Sequence, residues 1–442
     1  MDQALYLAMR ATGREAVVQT VWVYEDAIDV DGLRRFHDNL GYGLLGRRIE
    51  RSPLPFARGR WVTCPAPDID IAESARPRGE LSDWADERAQ LPLDPESGPG
   101  WHLGVLPLTD GSTAVSLVVS HCLVDGLGVG GAIADAVNGK RRDLGYPPPR
   151  SRTRLRVLVE DTRQTAQDAP EVVRALVAAA KEGRKKPAQR RGGTESAAPQ
   201  RISVADNSDE PVVVPMITIQ VDVDEWDARA KSLGGMNHHL VAGFAAKLGE
   251  RMGRRRSRDG LVTLQMPISD RTEDDTRANA LSFVSIEVDP TRVTTDLRGV
   301  RVAQGQAFRA QRAAPDGSGQ IGALTPLVSF VPKRVLKRLV DAAFAYDDLP
   351  VGCSNAGDVD PAVGRPDGTD AARAVARGGE QHVTRRHLEQ TRGQLTVWGA
   401  RFGGKVALTV GAYQPGGTNS KLALRELVGQ TLAEFDLTGV ID

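Results

Sequence analysis

The chain has no net charge, few cysteines and no paired-cysteine motif. Its 442 residues include 57 basic and 57 acidic side chains, so the formal net charge is zero. A balanced charge provides no electrostatic field that would hold a polyanion, so nucleic acid is not the expected partner. The three cysteines, Cys64, Cys122 and Cys353, lie far apart and form no CxxC pair. This spacing argues against a zinc ribbon or a thioredoxin-type redox motif.

The chain also lacks the patterns of targeting and membrane segments. The first residues, MDQALYLAMRATGRE, carry charge early and contain no long apolar stretch of the kind found in signal peptides. No run of about 18 apolar residues occurs, so no segment is expected to span a bilayer. A sparse, odd number of cysteines fits a reducing compartment. We therefore expect a cytoplasmic protein.

Strand-like and helix-like segments alternate in both halves of the chain. Residues 17–24 are β-branched and aromatic, and residues 114–120 have the composition of a buried strand. In the second half, residues 281–288 predict a strand and residues 237–252 predict a helix. Mixed elements in each half predict an α/β sandwich in two lobes of similar size.

A shift in composition divides the two halves. Residues 181–210 are rich in lysine, arginine, glycine and serine and contain few large apolar side chains. This composition is typical of a linker. The sequence therefore predicts an N-terminal lobe over residues 1–180, a linker over 181–210 and a C-terminal lobe over 211–442.

The segment SLVVSHCLVDGLGVGG, residues 116–131, is the most informative for chemistry. An apolar strand ends at His121, and Asp125 and Gly126 follow four and five residues later. A strand end followed by a glycine turn can hold an imidazole rigidly, and Gly126 permits backbone angles that a larger residue would resist. A neutral imidazole near pH 7 can take a proton from an alcohol or an amine. Taken alone, such a histidine is more often structural, and Asp125 is more often a turn former.

HCLVDG fits the HxxxDG motif of the coenzyme A-dependent acyltransferase superfamily. That group includes chloramphenicol acetyltransferase, the condensation domains of peptide synthetases and the wax ester synthase/diacylglycerol acyltransferase family. Upstream, residues 91–108 (LPLDPESGPGWHLGVLPL) resemble the family's strand approach to the motif. Downstream, residues 264–271 (LQMPISDR) with Asn279 resemble its "PVS-R…GN" segment, and SNAG at 354–357 resembles its "SN-PG" loop.

The resemblance implies an α/β fold of two chloramphenicol acetyltransferase-like lobes, which form a pseudo-dimer with a central tunnel. A thioester and an acceptor would enter from opposite faces and meet at His121, which would deprotonate or orient the acceptor. Asp125 would be mainly structural and would pair with an arginine of the second lobe, for which Arg271 has the expected position. Alone, Arg271 resembles any surface arginine of a charged loop. The candidates for oxyanion or substrate contact are Ser354, Asn355 and Asn279, of which Ser354 and Asn355 also suit a plain turn.

The same resemblance implies the partners. We expect no metal and no redox cofactor. The donor would be acyl-CoA or the thioester of an acyl carrier protein, and the acceptor a small molecule or a lipid. A hydroxyl is favoured over an amine because the best matches outside the motif are to the wax ester synthase group.

Three positions depart from the family pattern. Ser120 stands where many relatives carry a second histidine, and Ala278 stands where a glycine is usual. The wax ester synthase group carries an Asn-Asp pair where this chain has Asn237 followed by His238 and His239. Two alternatives therefore stay open. One is a condensation-type enzyme that forms amides from carrier-protein thioesters, and the other is a non-catalytic relative that binds a carrier.

Gly126, Gly128 and Gly131 spell GxGxxG, the dinucleotide-binding fingerprint. That site needs an acidic residue at the end of a second strand roughly 20 residues further on. Residues 147–152 are PPPRSR, which predicts no strand there. The context therefore does not favour a nicotinamide enzyme.

Two further patterns have ordinary interpretations. Adjacent helical residues point about 100° apart, so His238 and His239 are poorly arranged to share a metal ion. Residues 332–344 (PKRVLKRLVDAAF) are basic and amphipathic, which suits peripheral contact with an anionic membrane. Such a helix more often packs on its own core with the basic face in water.

Overall fold

The architecture comes from a computed structural model, which describes residues 2–54, 57–167, 170, 210–313 and 348–442. The predicted linker, except for residue 210, and the amphipathic stretch 332–344 lie outside the described residues. The helices are α1 (Asp2–Thr12), α2 (Val30–Leu40), α3 (Leu81–Gln90), α4 (Gly126–Val137), α5 (residues 154–167), α6 (Val223–Ser232), α7 (Asn237–Arg251), α8 (Arg298–Ala313), α9 (Arg385–Gln390) and α10 (Lys421–Glu434).

The first strands, β1 to β6, come from the N-terminal half. They are β1 (Glu15–Tyr24), β2 (Arg47–Glu50), β3 (Arg60–Thr63), β4 (Ile69–Ile71), β5 (Trp101–Pro107) and β6 (Thr113–Ser120). The remaining strands are β7 (Met216–Asp222), β8 (Val262–Ser269), β9 (Leu281–Val288), β10 (Val351–Asp358), β11 (Arg373–Gln381), β12 (Gln394–Phe402), β13 (Lys405–Tyr413) and β14 (Val440–Ile441).

The N-terminal lobe is built on a five-stranded sheet with the order β11-β1-β6-β5-β4. β1 and β6 pair in antiparallel fashion, with Val17 opposite Ser120. Alternate apolar residues, among them Trp22 and Leu117, lie on the face that packs against Leu33 of α2 and Ile133 of α4. This core fixes the end of β6, where the HxxxDG motif begins.

The strand β11 crosses between the halves of the chain. It pairs in antiparallel fashion with β1, from Glu15 opposite Gln381 to Val23 opposite Arg373. The N-terminal sheet therefore contains a strand from the segment that the sequence assigned to the second lobe. The division at residue 211 differs from the structure in this respect, because sheet pairing joins residues far apart in sequence.

The C-terminal lobe is built on a seven-stranded sheet with the order β14-β7-β13-β12-β10-β8-β9. β10 lies parallel to both β8 and β12, and the other pairs are antiparallel. Buried residues of α7, including Leu240 and Phe244, pack on its core face. Gly403 and Gly404 join β12 to β13 with φ angles of 56° and 72°, which suit a tight hairpin turn.

Two mixed sheets with helices packed on them form the α/β architecture in two lobes, which confirms the predicted fold class. Within the described part of the chain, no helix is long and apolar enough to cross a bilayer.

Candidate functional site

His121 lies at the junction of the two lobes and is held from both sides. It directly follows β6, whose residues are all buried. Its backbone N–H donates to the Ala16 carbonyl of β1 at 2.8 Å. Its backbone carbonyl accepts a bond from Nδ2 of Asn279, a second-lobe residue, at 3.0 Å. The His121 peptide is therefore fixed by one residue of each lobe.

The imidazole of His121 is mostly enclosed. Its Nδ1 atom is buried, while the residue keeps part of its surface exposed. Burial lowers the pKa of His121 below its ordinary value of 6.5, and its own backbone carbonyl, the Asp125 charge and the Asn279 side chain oppose this shift. The ring is therefore neutral near pH 7, which is the form that can accept a proton.

The structure brings Asp125 and Arg271 together in a buried ion pair that joins the lobes. Oδ1 of Asp125 accepts from the Gly128 N–H at 2.8 Å and from Nε of Arg271 at 3.1 Å. Oδ2 accepts from Nη2 of Arg271 at 2.7 Å and from the Ala280 N–H at 2.8 Å. The two side chains are 3% and 10% exposed. Four donors engage the carboxylate, so Asp125 caps α4 and holds the second lobe.

Arg271 also organises the loop that carries Asn279. Its guanidinium donates to the carbonyls of Asp275, Arg277 and Ala278 at 3.2, 3.0 and 2.9 Å. The Ala278 carbonyl in turn accepts the Asp125 N–H at 2.8 Å. The loop is thereby held against the HxxxDG turn, which brings the Asn279 amide to the His121 carbonyl.

The expected role of Gly126 is not supported by its geometry. Gly126 is the first residue of α4, its φ lies outside the left-handed region, and a Cβ there would meet nothing within 4 Å. Gly128 is the glycine that the ion pair requires. A Cβ at Gly128 would lie 2.4 Å from Cγ2 of Val124 and 3.0 Å from Cζ of Arg271. Gly128 thus permits the close packing of Arg271 on α4.

Arg47 is a site residue that sequence reasoning missed. It is 1% exposed, and its guanidinium lies 3.9 Å from the centre of the Trp61 ring. Nη2 donates to the Leu123 carbonyl at 2.8 Å, and Nη1 donates to the Thr276 carbonyl at 2.7 Å. Arg47 therefore ties the HxxxDG turn to the Arg271 loop. The neighbouring Arg48 gives the segment the look of a charged surface strand, so no local signal marks Arg47.

Ser354 and Asn355 lie on β10, in the C-terminal sheet between β8 and β12. Both are partly exposed, and Oδ1 of Asn355 accepts the Gly357 N–H at 2.9 Å. Among the described residues, no hydrogen bond links either side chain to the His121 segment. Of the three oxyanion or substrate candidates, only Asn279 contacts that segment directly.

A cleft of about 420 Å³ lies between the lobes and runs along the length of α4. Its lining includes Leu127 and Gly131 of α4, Tyr42, and Thr276 of the second lobe. His121 is not among its lining residues, so this cleft adjoins the Asp125–Arg271 ion pair rather than the imidazole.

The histidine pair of the second lobe has a structural use. His239 is buried, and its Nδ1 lies 3.0 Å from the Met236 N–H at the start of α7, from which it accepts a bond. Its ring centre lies 4.0 Å from that of His238. In the described ranges, no group of three or more histidine, cysteine, aspartate or glutamate side chains is arranged to hold a metal ion.

A family model described as the wax ester synthase/diacylglycerol acyltransferase catalytic domain matches residues 42–209. A comparison with curated proteins gave no match. Similar solved structures cover nearly the whole chain. The first condensation domain of the calcium-dependent antibiotic synthetase has a TM-score of 0.56 at 14% identity, over 99% of this chain and 98% of that one.

Two further structures are similar in the same way. The wax ester synthase/diacylglycerol acyltransferase from Marinobacter aquaeolei has a TM-score of 0.52 at 14% identity, over 98% of this chain and 97% of that one. The trichothecene 15-O-acetyltransferase from Fusarium sporotrichioides has a TM-score of 0.56 at 11% identity, over 98% and 93%. At these identities, the similarity establishes the chloramphenicol acetyltransferase-like, two-lobe fold.

Proposed function

We propose that the chain is a member of the coenzyme A-dependent acyltransferase superfamily and that it transfers an acyl group from a thioester to a hydroxyl acceptor with His121 as general base. The observation that carries this proposal is the His121 peptide, which Ala16 and Asn279 fix at the lobe junction. Its imidazole is neutral at working pH because burial lowers its pKa.

The proposed step begins at the exposed nitrogen of the ring. Because Nδ1 is buried, Nε2 is the nitrogen that accepts the proton of the acceptor hydroxyl. The acceptor oxygen attacks the thioester carbonyl and forms a tetrahedral intermediate. Its collapse breaks the carbon–sulfur bond, and the leaving thiolate takes the proton from the imidazolium. The products are an ester and a free thiol, and the step uses only the imidazole and the two substrates.

The other site residues have supporting roles in this proposal. Asp125 and Arg271 hold the lobes in register, since the Asp125 carboxylate is fully engaged by four donors. Asn279 supports the His121 carbonyl. Ser354 and Asn355 remain the candidates for donating to the oxyanion, which needs a preorganised N–H or O–H group.

The choice of substrates follows from the similar proteins. Acyl-CoA is the proposed donor, and a small-molecule or lipid hydroxyl is the proposed acceptor. The support for this choice is that the matching family model and two of the similar structures are named for enzymes that form esters. The second candidate is amide formation from carrier-protein thioesters, which the similarity to a condensation domain favours. A relative that binds a carrier without catalysing transfer is the non-enzymatic alternative.

Thiol release from a panel of acyl-CoA thioesters, with and without alcohols and amines, tests the proposal. We expect release that depends on an alcohol, and a loss of about 10²- to 10⁴-fold in His121→Ala, the usual contribution of a general base. His238→Gln is the matched control, because His238 is also partly buried with a lowered pKa. Unchanged turnover in a folded His121→Ala protein would defeat the proposal, and dependence on amines alone would favour the second candidate.

A further inference from the structure

Glu15 is a buried carboxyl group beside the residue that we propose as general base. It is the first residue of β1 and is 3% exposed. Val17 lies opposite Ser120, so the antiparallel register brings Glu15 level with the residues that follow Ser120. Burial of an ionisable carboxyl group is costly unless polar contacts compensate it. Such a group next to His121 therefore needs a structural or functional reason.

The contacts of Glu15 lead to the His121 turn. Oε1 of Glu15 accepts the hydroxyl proton of Ser120. Oγ of Ser120 accepts the Cys122 N–H at 3.1 Å, and the Ala16 carbonyl accepts the His121 N–H at 2.8 Å. Ala16 thus holds the His121 N–H directly, and Glu15 holds the Ser120 hydroxyl, which in turn holds the Cys122 N–H. The two held N–H groups lie on either side of the His121 Cα, so these bonds set the direction in which its side chain leaves the backbone.

The surroundings of Glu15 offer little to stabilise a negative charge. The groups that act on it or lie opposite it are Ser120, Cys122, Asp94 and Gln381, and none of these four is cationic. The Gln381 amide donates to the carbonyls of Ala89 and Leu91. Oε2 of Glu15 is buried and makes no hydrogen bond within the described part of the chain.

These surroundings move the titration of Glu15 into the working pH range. Desolvation by burial raises the pKa of Glu15 to about 7, the hydrogen bonds from Ser120 and Cys122 oppose the shift, and the Asp94 charge adds to it. The carboxyl group is therefore neutral at mildly acidic pH and charged at mildly alkaline pH.

We propose that Glu15 is a positioning residue for His121, which it holds through Ser120 and holds more firmly in its charged form. The inference rests on the proposed role of His121. A carboxylate is a stronger acceptor for the Ser120 hydroxyl than a neutral carboxyl group, because hydrogen bonds to ionised groups are shorter and stronger. A firm bond also directs the Ser120 lone pairs toward the Cys122 N–H. Protonation of Glu15 weakens this link and loosens the turn.

The two titrations are separable in this scheme. His121 titrates below its ordinary value, and Glu15 titrates higher, near pH 7. As pH rises through 7, Glu15 becomes charged and the imidazole becomes better ordered. Glu15→Gln keeps the side-chain shape and an acceptor oxygen but cannot titrate. It therefore removes the titration near pH 7 and leaves the titration of His121.

The test follows the ¹³C and ¹H shifts of the His121 imidazole against pH in the intact protein, with the signal assigned by its absence in His121→Ala. We expect a second inflection near pH 7 in the wild type and its loss in Glu15→Gln. Ser120→Ala, which breaks the link itself, should lose it as well. Glu380→Gln is the matched control and should retain it, because Glu380 is an exposed carboxylate on the neighbouring strand, opposite Ala16.

The same variants are assayed for acyl transfer above pH 7. We expect kcat to fall by about tenfold in Glu15→Gln while KM changes less than about twofold, as for a misplaced catalytic group. His121 shift profiles that superimpose in the wild type, Glu15→Gln and Ser120→Ala would overturn the inference, whatever the activity. If the wild type shows the second inflection in the His121 shifts but no acyl transfer, the proposed function is refuted and the positioning role of Glu15 still holds.

Discussion

Replacing Gly128 with alanine probes the contact between the lobes. Gly128 lies where the first turn of α4 meets the Arg271 guanidinium, and its added Cβ would be 2.4 Å from Cγ2 of Val124 and 3.0 Å from Cζ of Arg271. Val124 is fully buried and β-branched, so its methyl group has no free rotamer to adopt. Arg271 is held by both carboxylate oxygens of Asp125. Neither neighbour can yield without breaking a contact.

The expected loss of stability follows from these contacts. Overpacking of a buried site costs about 1–3 kcal/mol. A retreat of Arg271 would also weaken one charge-assisted hydrogen bond, which contributes about 1.5–3 kcal/mol. The better helix propensity of alanine offsets this loss by stabilising the helix by about 1 kcal/mol. We therefore expect the free energy of unfolding to fall by about 2–5 kcal/mol in Gly128→Ala.

Gly126→Ala is the matched control on the same helix turn. A Cβ at Gly126 meets nothing within 4 Å and the backbone is not left-handed, so the change should be neutral or stabilise by up to about 1 kcal/mol. Urea unfolding of both variants measures the difference, and thiol-release assays measure its effect on transfer. Equal unfolding free energies in the two variants would refute the claim that Gly128 makes room for Arg271.

Three further predictions concern His121 and Arg47. Because burial lowers the pKa of His121, kcat/KM of Glu15→Gln should fall on the acid side with a midpoint below pH 6.5; a midpoint at or above that value contradicts the buried, neutral ring. As pH falls, the unfolded chain protonates His121 at a higher pH than the folded protein does, so the stability that His121 contributes is complete above pH 6.5 and declines below it. Thermal unfolding of the wild type and His121→Gln as a function of pH measures this decline. Arg47→Lys should cost about 2 kcal/mol, since one ammonium cannot reach both the Leu123 and Thr276 carbonyls. Arg48→Lys should cost under about 1 kcal/mol because Arg48 makes one hydrogen bond among the described residues, to the Glu96 carbonyl. Equal unfolding midpoints for the two variants would contradict this.

Much of the fold is predictable from local pattern. The strand predicted at 281–288 has the same bounds as β9, and those predicted at 17–24 and 114–120 lie within two residues of β1 and β6. Helix α4 begins at Gly126, the last residue of the HxxxDG motif. The glycines of its first turns weaken the helical signal in the sequence. Asp125, which the sequence alone suggests is a turn former, is the N-cap of this helix.

The strand β11 shows what local pattern leaves out. Its sequence, RAVARGGEQ, lacks regular alternation and contains two adjacent glycines, both of which lower strand propensity. The pairing with β1 and the packing of Trp398 stabilise it instead. A Cβ at Gly378 would lie 2.2 Å from Cζ2 of Trp398. Such long-range contacts have no signature in a single sequence.

The residues of the candidate site also fall into those that the sequence identifies and those that only the structure reveals. HxxxDG is continuous in sequence, so His121 and Asp125 are identifiable from the motif. Arg271 was expected as the partner of Asp125, and it contacts that carboxylate. Arg47, Gly128 and Glu15 act through three-dimensional contacts with carbonyls, a guanidinium and a hydroxyl, and their neighbours in sequence carry no hint of these partners.

The crossing strand also bears on how the chain is made. During synthesis, β1 emerges early, and its second neighbour, β11, follows only after residue 373 has left the ribosome. Until then, the hydrogen-bonding groups along one side of β1 have no native strand to meet, and an unpaired edge invites association with other chains. The N-terminal sheet cannot be completed without a strand from the C-terminal half, so the N-terminal lobe matures only after most of the chain has been made.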